Sequence, residues 1–366
     1  MKLAVYLADQ NPHRDRTLGI TEMTAALLDE LASKEELKME TIVSKSSFAI
    51  NDVNVLEKKL PWRTDNMLGR LLTDNLHTLL VHPEVDAWLY PKGYIPFFMR
   101  TQKPCIGIVH DTILLWYYDF YRNERSKIDY VYWLNFMKQS IARFDLILTI
   151  SETAKKQILD LCSRFSITPP PIEVTYESVR YADDTTIYEK GTYVVHVASK
   201  APHKKTAWLL KNWVKQLEKG TKLPILKLVG SVPDDVKDLV ENSRGIEKLP
   251  YLDDHTYKET LAKARALLMP SEVEGFGLPA VEAYSLGTPA CYVKNTAVDE
   301  VLDIPEHLGA FDLSKPESLF EALESVLKLS EDEITISKAR LQQTYSEKSF
   351  GDRVFNSIKD YIAKYE

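Results

Sequence analysis

Cysteine is scarce in this sequence. The 366 residues include three, Cys105, Cys162 and Cys291. An odd number at wide spacing implies neither a disulfide framework nor a zinc site, and a reducing cytoplasm is the simplest compartment for it. An excess of positive charge is also lacking. Lys and Arg number 46 against 53 Asp and Glu, for a net charge of -7. Residues 1–190 hold 23 Lys and Arg against 26 Asp and Glu, and the remainder 23 against 27. Neither half is basic, which argues against a nucleic-acid partner and against electrostatic attraction to an anionic membrane. Long apolar runs are missing too. No stretch approaches the roughly 18 apolar residues of a membrane-spanning helix. The N-terminal MKLAVYLADQ is interrupted by Asp9 before it reaches the length of a signal peptide. There is no Asp-x-Asp, no histidine cluster with metal-ligand spacing, no repeat of fixed period and no low-complexity tract, so no metal site is expected.

What is present is a soluble composition, 45% hydrophobic and 27% charged, on a chain long enough for two domains. KLAVYLA (2–8) reads as a buried strand. Over 20–31, Ile20, Met23, Leu27, Leu28 and Leu31 fall on one helical face. Further short apolar runs follow at 87–90, 104–110 and 144–150, with an aromatic-rich segment, 115–137, expected to be helical in its second half. The proline-rich opening and polar close of 168–191 mark a last extended piece and then a linker. A second series of strand-like runs begins at 192–199 and continues at 224–230, 266–271 and 288–293. This alternation predicts an α/β protein of two tandem, doubly wound, parallel-sheet domains. The boundaries expected are 1–188, 189–345 and a terminal helix over 346–366, on which Phe350, Val354, Ile358 and Ile362 align. In such sheets ligands bind beyond the carboxyl ends of the strands, so the segments after each strand carry the functional candidates.

The most informative of these is SEVEGFGLPAVEAYSLGTPA (271–290). Glu274 and Glu282 flank the turn Gly275-Phe276-Gly277-Leu278, and Pro279 favours the start of a helix. A helix N-terminus offers unpaired N–H groups and the positive end of the dipole, which suits a diphosphate. Glycines allow that ligand to approach the backbone. Glu282, about one turn into the helix, can accept hydrogen bonds from a ribose, and Glu274 from another sugar. A hydrolase acid–base pair would need both carboxylates across one scissile bond, which one residue before the turn and one inside the helix do not favour.

This stretch resembles the Glu-x7-Glu signature of the family 4 glycosyltransferases. Glu274, Gly275, Phe276, Gly277, Leu278, Pro279, Glu282, Ala283, Gly287 and Pro289 all match. The resemblance implies the GT-B fold of two Rossmann-like domains facing a cleft, the first for the acceptor and the second for the nucleotide sugar. It also implies roles: Glu274 faces the donor sugar, the 276–278 backbone binds the diphosphate and Glu282 binds the ribose. VASKAPHKKT (197–206) is similar to the family's Gly-Gly-x-x-Pro-Arg-Lys-Asn loop, with Lys204 on the lysine that neutralises the diphosphate. Ala198 and Ser199 stand where the family has glycines, and His203 where it has arginine. The second cation is then Lys200, His203 or Lys205. GIVHDT (107–112) places His110 and Asp111 on the family's His-Asp, so His110 is a candidate contact to the transferred sugar or acceptor. RTLGITEM (16–23) puts Gly19 on the second glycine of a glycine-rich loop, a candidate for donor-phosphate or acceptor contact beside the plainer reading of a helix-entry glycine. Ser151 of ISET (150–153) reads as a helix cap.

The resemblance therefore implies a retaining, metal-independent hexosyltransferase with no cofactor beyond its nucleotide-diphosphate sugar substrate. The acceptor would be a saccharide or lipid-linked saccharide, in bacterial surface polysaccharide or glycolipid synthesis. It would work in the cytoplasm or at the inner face of the plasma membrane. WYYDFY (116–121) and PFFMR (96–100) are candidates for an acceptor groove or a lipid contact, beside ordinary helix packing. Two other readings stand next to this one: a sugar-nucleotide epimerase or phosphorylase on the same architecture, and a non-catalytic partner subunit.

Overall fold

A computed structural model describes residues 1–10, 18–44, 55–61, 63–64, 66–76, 84–124 and 126–365. The chain divides into two compact units, Met1–Ser178 with Glu347–Glu366, and Val179–Ser346. The first unit thus ends at Ser178, within the segment read as an extended piece and linker.

In the first unit the strands are β1 (Lys2–Tyr6), β2 (Lys38–Val43), β3 (Val55–Lys59), β4 (Ala87–Tyr90), β5 (Cys105–Val109), β6 (Leu146–Thr149) and β7 (Ile172–Val174). They form a parallel sheet in the order β3-β2-β1-β4-β5-β6-β7. The near-continuous apolar run of β1 follows from burial on both faces. Leu3, Val5 and Leu7 enter one core, and Ala4, Tyr6 and Ala8 the other. The covering helices are α1 (Leu18–Ala32), α2 (Met67–Leu76), α3 (Ile113–Phe120), α4 (Lys127–Ile141) and α5 (Glu152–Arg164). The aromatic segment is helical in its second half, as expected, through α4, and α3 makes its first half helical as well. Ser151 caps α5, its hydroxyl accepting from Ala154 N at 2.8 Å.

The second unit holds β8 (Tyr193–Ala198), β9 (Ile225–Gly230), β10 (Ile246–Lys248), β11 (Leu267–Met269), β12 (Ala290–Val293) and β13 (Ala310–Phe311). Its sheet is also parallel, in the order β10-β9-β8-β11-β12-β13. The helices are α6 (Thr206–Glu218), α7 (Lys237–Asn242), α8 (Asp254–Ala262), α9 (Leu278–Ser285), α10 (Ala297–Leu302), α11 (Pro316–Val326) and α12 (Glu331–Tyr345). In this sheet the strand order reverses between β8 and β11, which opens a crevice at their carboxyl ends.

The last helix, α13 (Glu347–Tyr365), belongs to the first unit. Phe350, Val354 and Ile358 are fully buried in the core that also holds Leu27 and Leu31 of α1. Gly351 allows this approach, because a Cβ there would stand 2.5 Å from Glu30 Cβ. Lys359 and Glu36 pair at 2.9 Å at its edge. Among the described residues, no helix is long and apolar enough to cross a membrane.

Candidate functional site

The segments that follow β8 and β11 lie at the reversal point of the second sheet. After β8, Pro202–Lys204 form a single 3-10 turn, and Lys205 takes a left-handed conformation (φ 51°) before α6 starts at Thr206. A buried histidine anchors this loop. His196 donates from Nδ1 to Leu268 O of β11 at 2.8 Å, so its Nε2 accepts from the Thr206 hydroxyl at 2.9 Å. The same hydroxyl oxygen accepts from Ser199 N at 3.1 Å. Burial lowers the His196 pKa to about 4, which keeps the ring neutral and fits this donor–acceptor chain. The loop bearing Lys204 is thereby tied to both central strands.

The segment after β11 is stitched to that loop at three points. Glu272 N donates to His203 O at 2.9 Å. Lys205 pairs with Glu272 at 2.8 Å. Lys204 Nζ donates to Glu274 Oε1 at 2.5 Å. The Glu274 carboxylate is 8% exposed, so water screens this pair less than a surface ion pair. Of the three candidates for a second cation, Lys205 is held by Glu272, Lys200 pairs with Asp234 on the exposed side at 3.1 Å, and His203 is buried.

The turn then leads into α9. Gly277 is its N-cap, with φ 103° and ψ 43°, a conformation natural only to glycine. A Cβ at this position would also stand 2.6 Å from Val298 Cγ2. Phe276 is buried and packs edge-on against Tyr345, with ring centroids 5.3 Å apart. Its side chain is core, and only its backbone remains to serve a ligand. Leu278 is the first helical residue and Pro279 the second. The N–H groups of a first turn have no intrahelical acceptor, and α9 starts in the segment that follows the carboxyl end of β11.

Glu282 lies one turn into α9 and is 2% exposed. Arg180 Nε donates to its Oε1 at 2.8 Å, and the Tyr257 hydroxyl to its Oε2 at 3.0 Å. Arg180 also reaches Asp254 Oδ1 at 2.8 Å, which accepts from the Tyr181 hydroxyl at 2.9 Å. The guanidinium sits 5.4 Å from the ring centroids of both Tyr181 and Tyr257. Two separate segments, the one at 180–181 and α8, thus converge on one carboxylate of α9. Each oxygen has one donor and keeps a further lone pair, so Glu282 can still accept from a ligand hydroxyl. Each of the two glutamates therefore pairs with its own cation, an arrangement suited to two separate hydrogen-bond acceptors. Sequence reasoning missed the partners of Glu282: Arg180 and Tyr181 lie in 168–191, read as an extended piece and linker, and Asp254 and Tyr257 lie in α8 with no motif around them.

The first unit holds the remaining candidates. His110 follows β5, and its Nε2–H donates to Pro91 O at 2.9 Å. Its Nδ1 is 3.8 Å from Glu177 Oε2, beyond hydrogen-bond range. Burial lowers its pKa to about 4 despite the carboxylate nearby, so the ring is neutral at physiological pH and Nδ1 is an acceptor. Asp111 Oδ1 accepts from Ile113 N at 2.9 Å, fixing the entry to α3. Gly19 is the exposed second residue of α1, in the helix and not in a loop before it. Arg16 and Thr17 of the proposed glycine-rich loop lie outside the described residues.

Residues 180–343 match the model of a family described as glycosyl transferases group 1. The chain is 29% identical over 197 residues to the O-antigen chain mannosyltransferase RfbU of Salmonella typhimurium, covering 53% of each chain. It is 26% identical over 316 residues to O-antigen chain mannosyltransferase B of Escherichia coli, covering 78% of this chain and 81% of that one. The first match thus spans about half the relative's length. Among solved structures, the sucrose-phosphate synthase of Thermosynechococcus elongatus superposes with a TM-score of 0.69 at 13% identity over all of both chains. The Anabaena protein HepE, in complex with UDP and glucose, gives 0.64 at 14% identity, covering 98% of this chain and 100% of that one. At these identities the structural likeness speaks for the fold. The two parallel-sheet units and the structural neighbours give the chain the GT-B fold, and its residues 180–343 are similar to the group 1 glycosyl transferases.

Proposed function

We propose that the chain is a retaining glycosyltransferase that moves a hexosyl group from a nucleotide-diphosphate sugar to a saccharide or lipid-linked saccharide. The observation that carries this is the pairing of Lys204 with Glu274 beside the Gly277-capped start of α9. A cation, a carboxylate and a helix N-terminus then meet where a sugar diphosphate needs all three. In this reading Lys204 and the 275–278 backbone hold the diphosphate without a metal, Glu274 faces hydroxyls of the transferred sugar, and Glu282 accepts from the ribose. His110 in the first unit contacts the transferred sugar or the acceptor through a neutral imidazole. The O-antigen mannosyltransferases among the relatives favour mannosyl as the first group to test and bacterial surface polysaccharide as the setting, in the cytoplasm or at the inner membrane face.

In the reaction, the bond between the anomeric carbon and the diphosphate oxygen breaks, leaving positive charge on the sugar and negative charge on the nucleoside diphosphate. Lys204 and the α9 N-terminus stabilise the latter where it develops. The acceptor hydroxyl oxygen then bonds to the anomeric carbon on the same face, and its proton passes to the departing diphosphate oxygen. Glu274 holds the sugar by its hydroxyls. The test is turnover, followed as nucleoside diphosphate released to a saccharide acceptor. Lys204→Ala and Glu274→Ala should each lower it by roughly 10²–10³. A loss below about fivefold in both would end this assignment of roles.

A further inference from the structure

The last carbonyls of a helix have no intrahelical donor. In the second unit, α12 supplies donors to those of both α9 and α10. Gln342 Nε2 donates to the carbonyl of Ser285, the last residue of α9, at 3.0 Å. Arg340 donates to the carbonyl of Leu302, the last residue of α10. Helix α12 ends at Tyr345, four residues after Leu341 on the same buried face. A buried tyrosine needs a partner for its hydroxyl, and Tyr345 donates to Val301 O of α10 at 2.8 Å. Its ring meets Phe276 edge-on, at 84° with centroids 5.3 Å apart. The Tyr345 carbonyl accepts from Val179 N at 3.0 Å, next in sequence to Arg180, which holds Glu282. One residue at the end of α12 thus touches the turn before α9, the last turn of α10 and the segment that carries Arg180.

We propose that Tyr345 is a positioning residue of the donor site, setting the diphosphate-binding backbone of 275–278 through Phe276 without touching the ligand. The inference rests on the reading of that turn as a diphosphate cradle. Gly275 and Gly277 flank Phe276 and give the turn little stiffness of its own, so its shape must be imposed from outside. Two side chains do this. The Phe276 ring is buried and lies against Tyr345. Val298 of α10 stands against Gly277, 2.6 Å from where a Cβ would be, and α10 is the helix that the Tyr345 hydroxyl bonds. Both supports of the turn lead back to Tyr345. Donors aimed at a diphosphate act most strongly when they are held in place beforehand. Glu282 is fixed separately, by Arg180 and Tyr257, so a ribose contact does not depend on the Tyr345 side chain.

The test measures binding of UDP, GDP, dTDP and ADP to the full chain by calorimetry, and of uridine, guanosine, thymidine and adenosine by saturation-transfer NMR. The ratio of the two affinities for one base isolates the diphosphate. Tyr345→Leu removes the ring edge and the hydroxyl. It should weaken the nucleoside diphosphate by about three- to tenfold, the range an edge-on aromatic pair gives, and leave the nucleoside unchanged. Tyr345→Phe keeps the ring against Phe276 and should recover most of the loss. Leu323→Ala truncates the core under α11, which packs on β12 and β13; it should lower stability and leave both affinities as in the parent. Phe276→Leu cuts the same contact from the other side and should show the same split, so it decides the matter if Tyr345→Leu does not fold. A diphosphate affinity changed less than about threefold, or both affinities lowered equally, would make Tyr345 ordinary core and overturn the proposal while the donor site stands. If no nucleoside diphosphate binds even the parent, the donor-site reading fails and this one with it.

Discussion

Replacing Arg180 with methionine keeps much of its stem and removes its charge from Glu282. The carboxylate is almost fully buried, with a side chain 3% exposed against 37% for Arg180. Breaking a fully buried ion pair by removing one partner costs about 3–5 kcal/mol. Because the guanidinium is more than a third exposed, water already screens part of that interaction, and a charge-assisted hydrogen bond of about 1.5–3 kcal/mol is the better measure. The Asp254 arm adds little, since that side chain is 66% exposed. The consequence should be local. Amide hydrogen exchange over 278–286, read by mass spectrometry, should quicken roughly 10- to 150-fold, the range that 1.5–3 kcal/mol gives. Arg180→Lys should recover part of this, because a single ammonium cannot reproduce the fork to two carboxylates. In the double variant with Glu282→Gln the stranded charge is gone, so the effects should fall well short of additive. Exchange altered less than about threefold in Arg180→Met, or additive effects in the double variant, would refute the view that Arg180 holds Glu282.

Three other outcomes follow from the same geometry. Gly277→Ala forces an L-residue to φ 103° and a Cβ within 2.6 Å of Val298 Cγ2. It should cost about 1–3 kcal/mol in a denaturant titration and weaken nucleotide binding, with Val298→Ala relieving only the steric share. His110 and His196 are each held to about 4 by burial, below the value an unfolded chain would show. The unfolded state therefore takes up protons first as pH falls. Their contribution is complete above about pH 6.5 and is lost toward pH 4, on the order of 3 kcal/mol each. The urea midpoint should drop across that window, and His196→Asn should flatten the drop; a midpoint constant down to pH 4 would contradict the assignment. Lys204→Ala and Glu274→Ala should depress turnover together, and their double variant little further, since the two form one ion pair and act as a unit.

Much of this architecture was legible because buried parallel strands write themselves as short apolar runs. β4, β5, β6, β8, β9, β11 and β12 each fall within such a run. β3 and β10 escaped notice for a physical reason: they are edge strands, VLEKK and IEK, whose charged side chains blunt an open edge. β13 has two residues, too few to show a period. In β2, KMETIV, Lys38 and Glu40 interrupt the apolar run. The turn at 274–282 was readable since glycine, proline and glutamate stand in one local pattern. Arg180 was not, because its partners lie 74 and 102 residues away, and nothing in VRYADD marks that meeting. His196 escaped for the same reason: it sits inside an apolar strand, and its partners come from β11 and the head of α6. Local chemistry was visible, and what folding alone brings together was not.

The measurement that tests the donor site most directly is calorimetric titration of the full chain with UDP, GDP, dTDP and ADP, repeated on Glu282→Ala. The account predicts that one nucleotide binds well and that the substitution weakens it, which would name the base of the donor. If none of the four binds, residues 199–205 and 270–282 do not form a nucleotide-sugar site, and the chain is better understood as a non-catalytic partner built on the same fold.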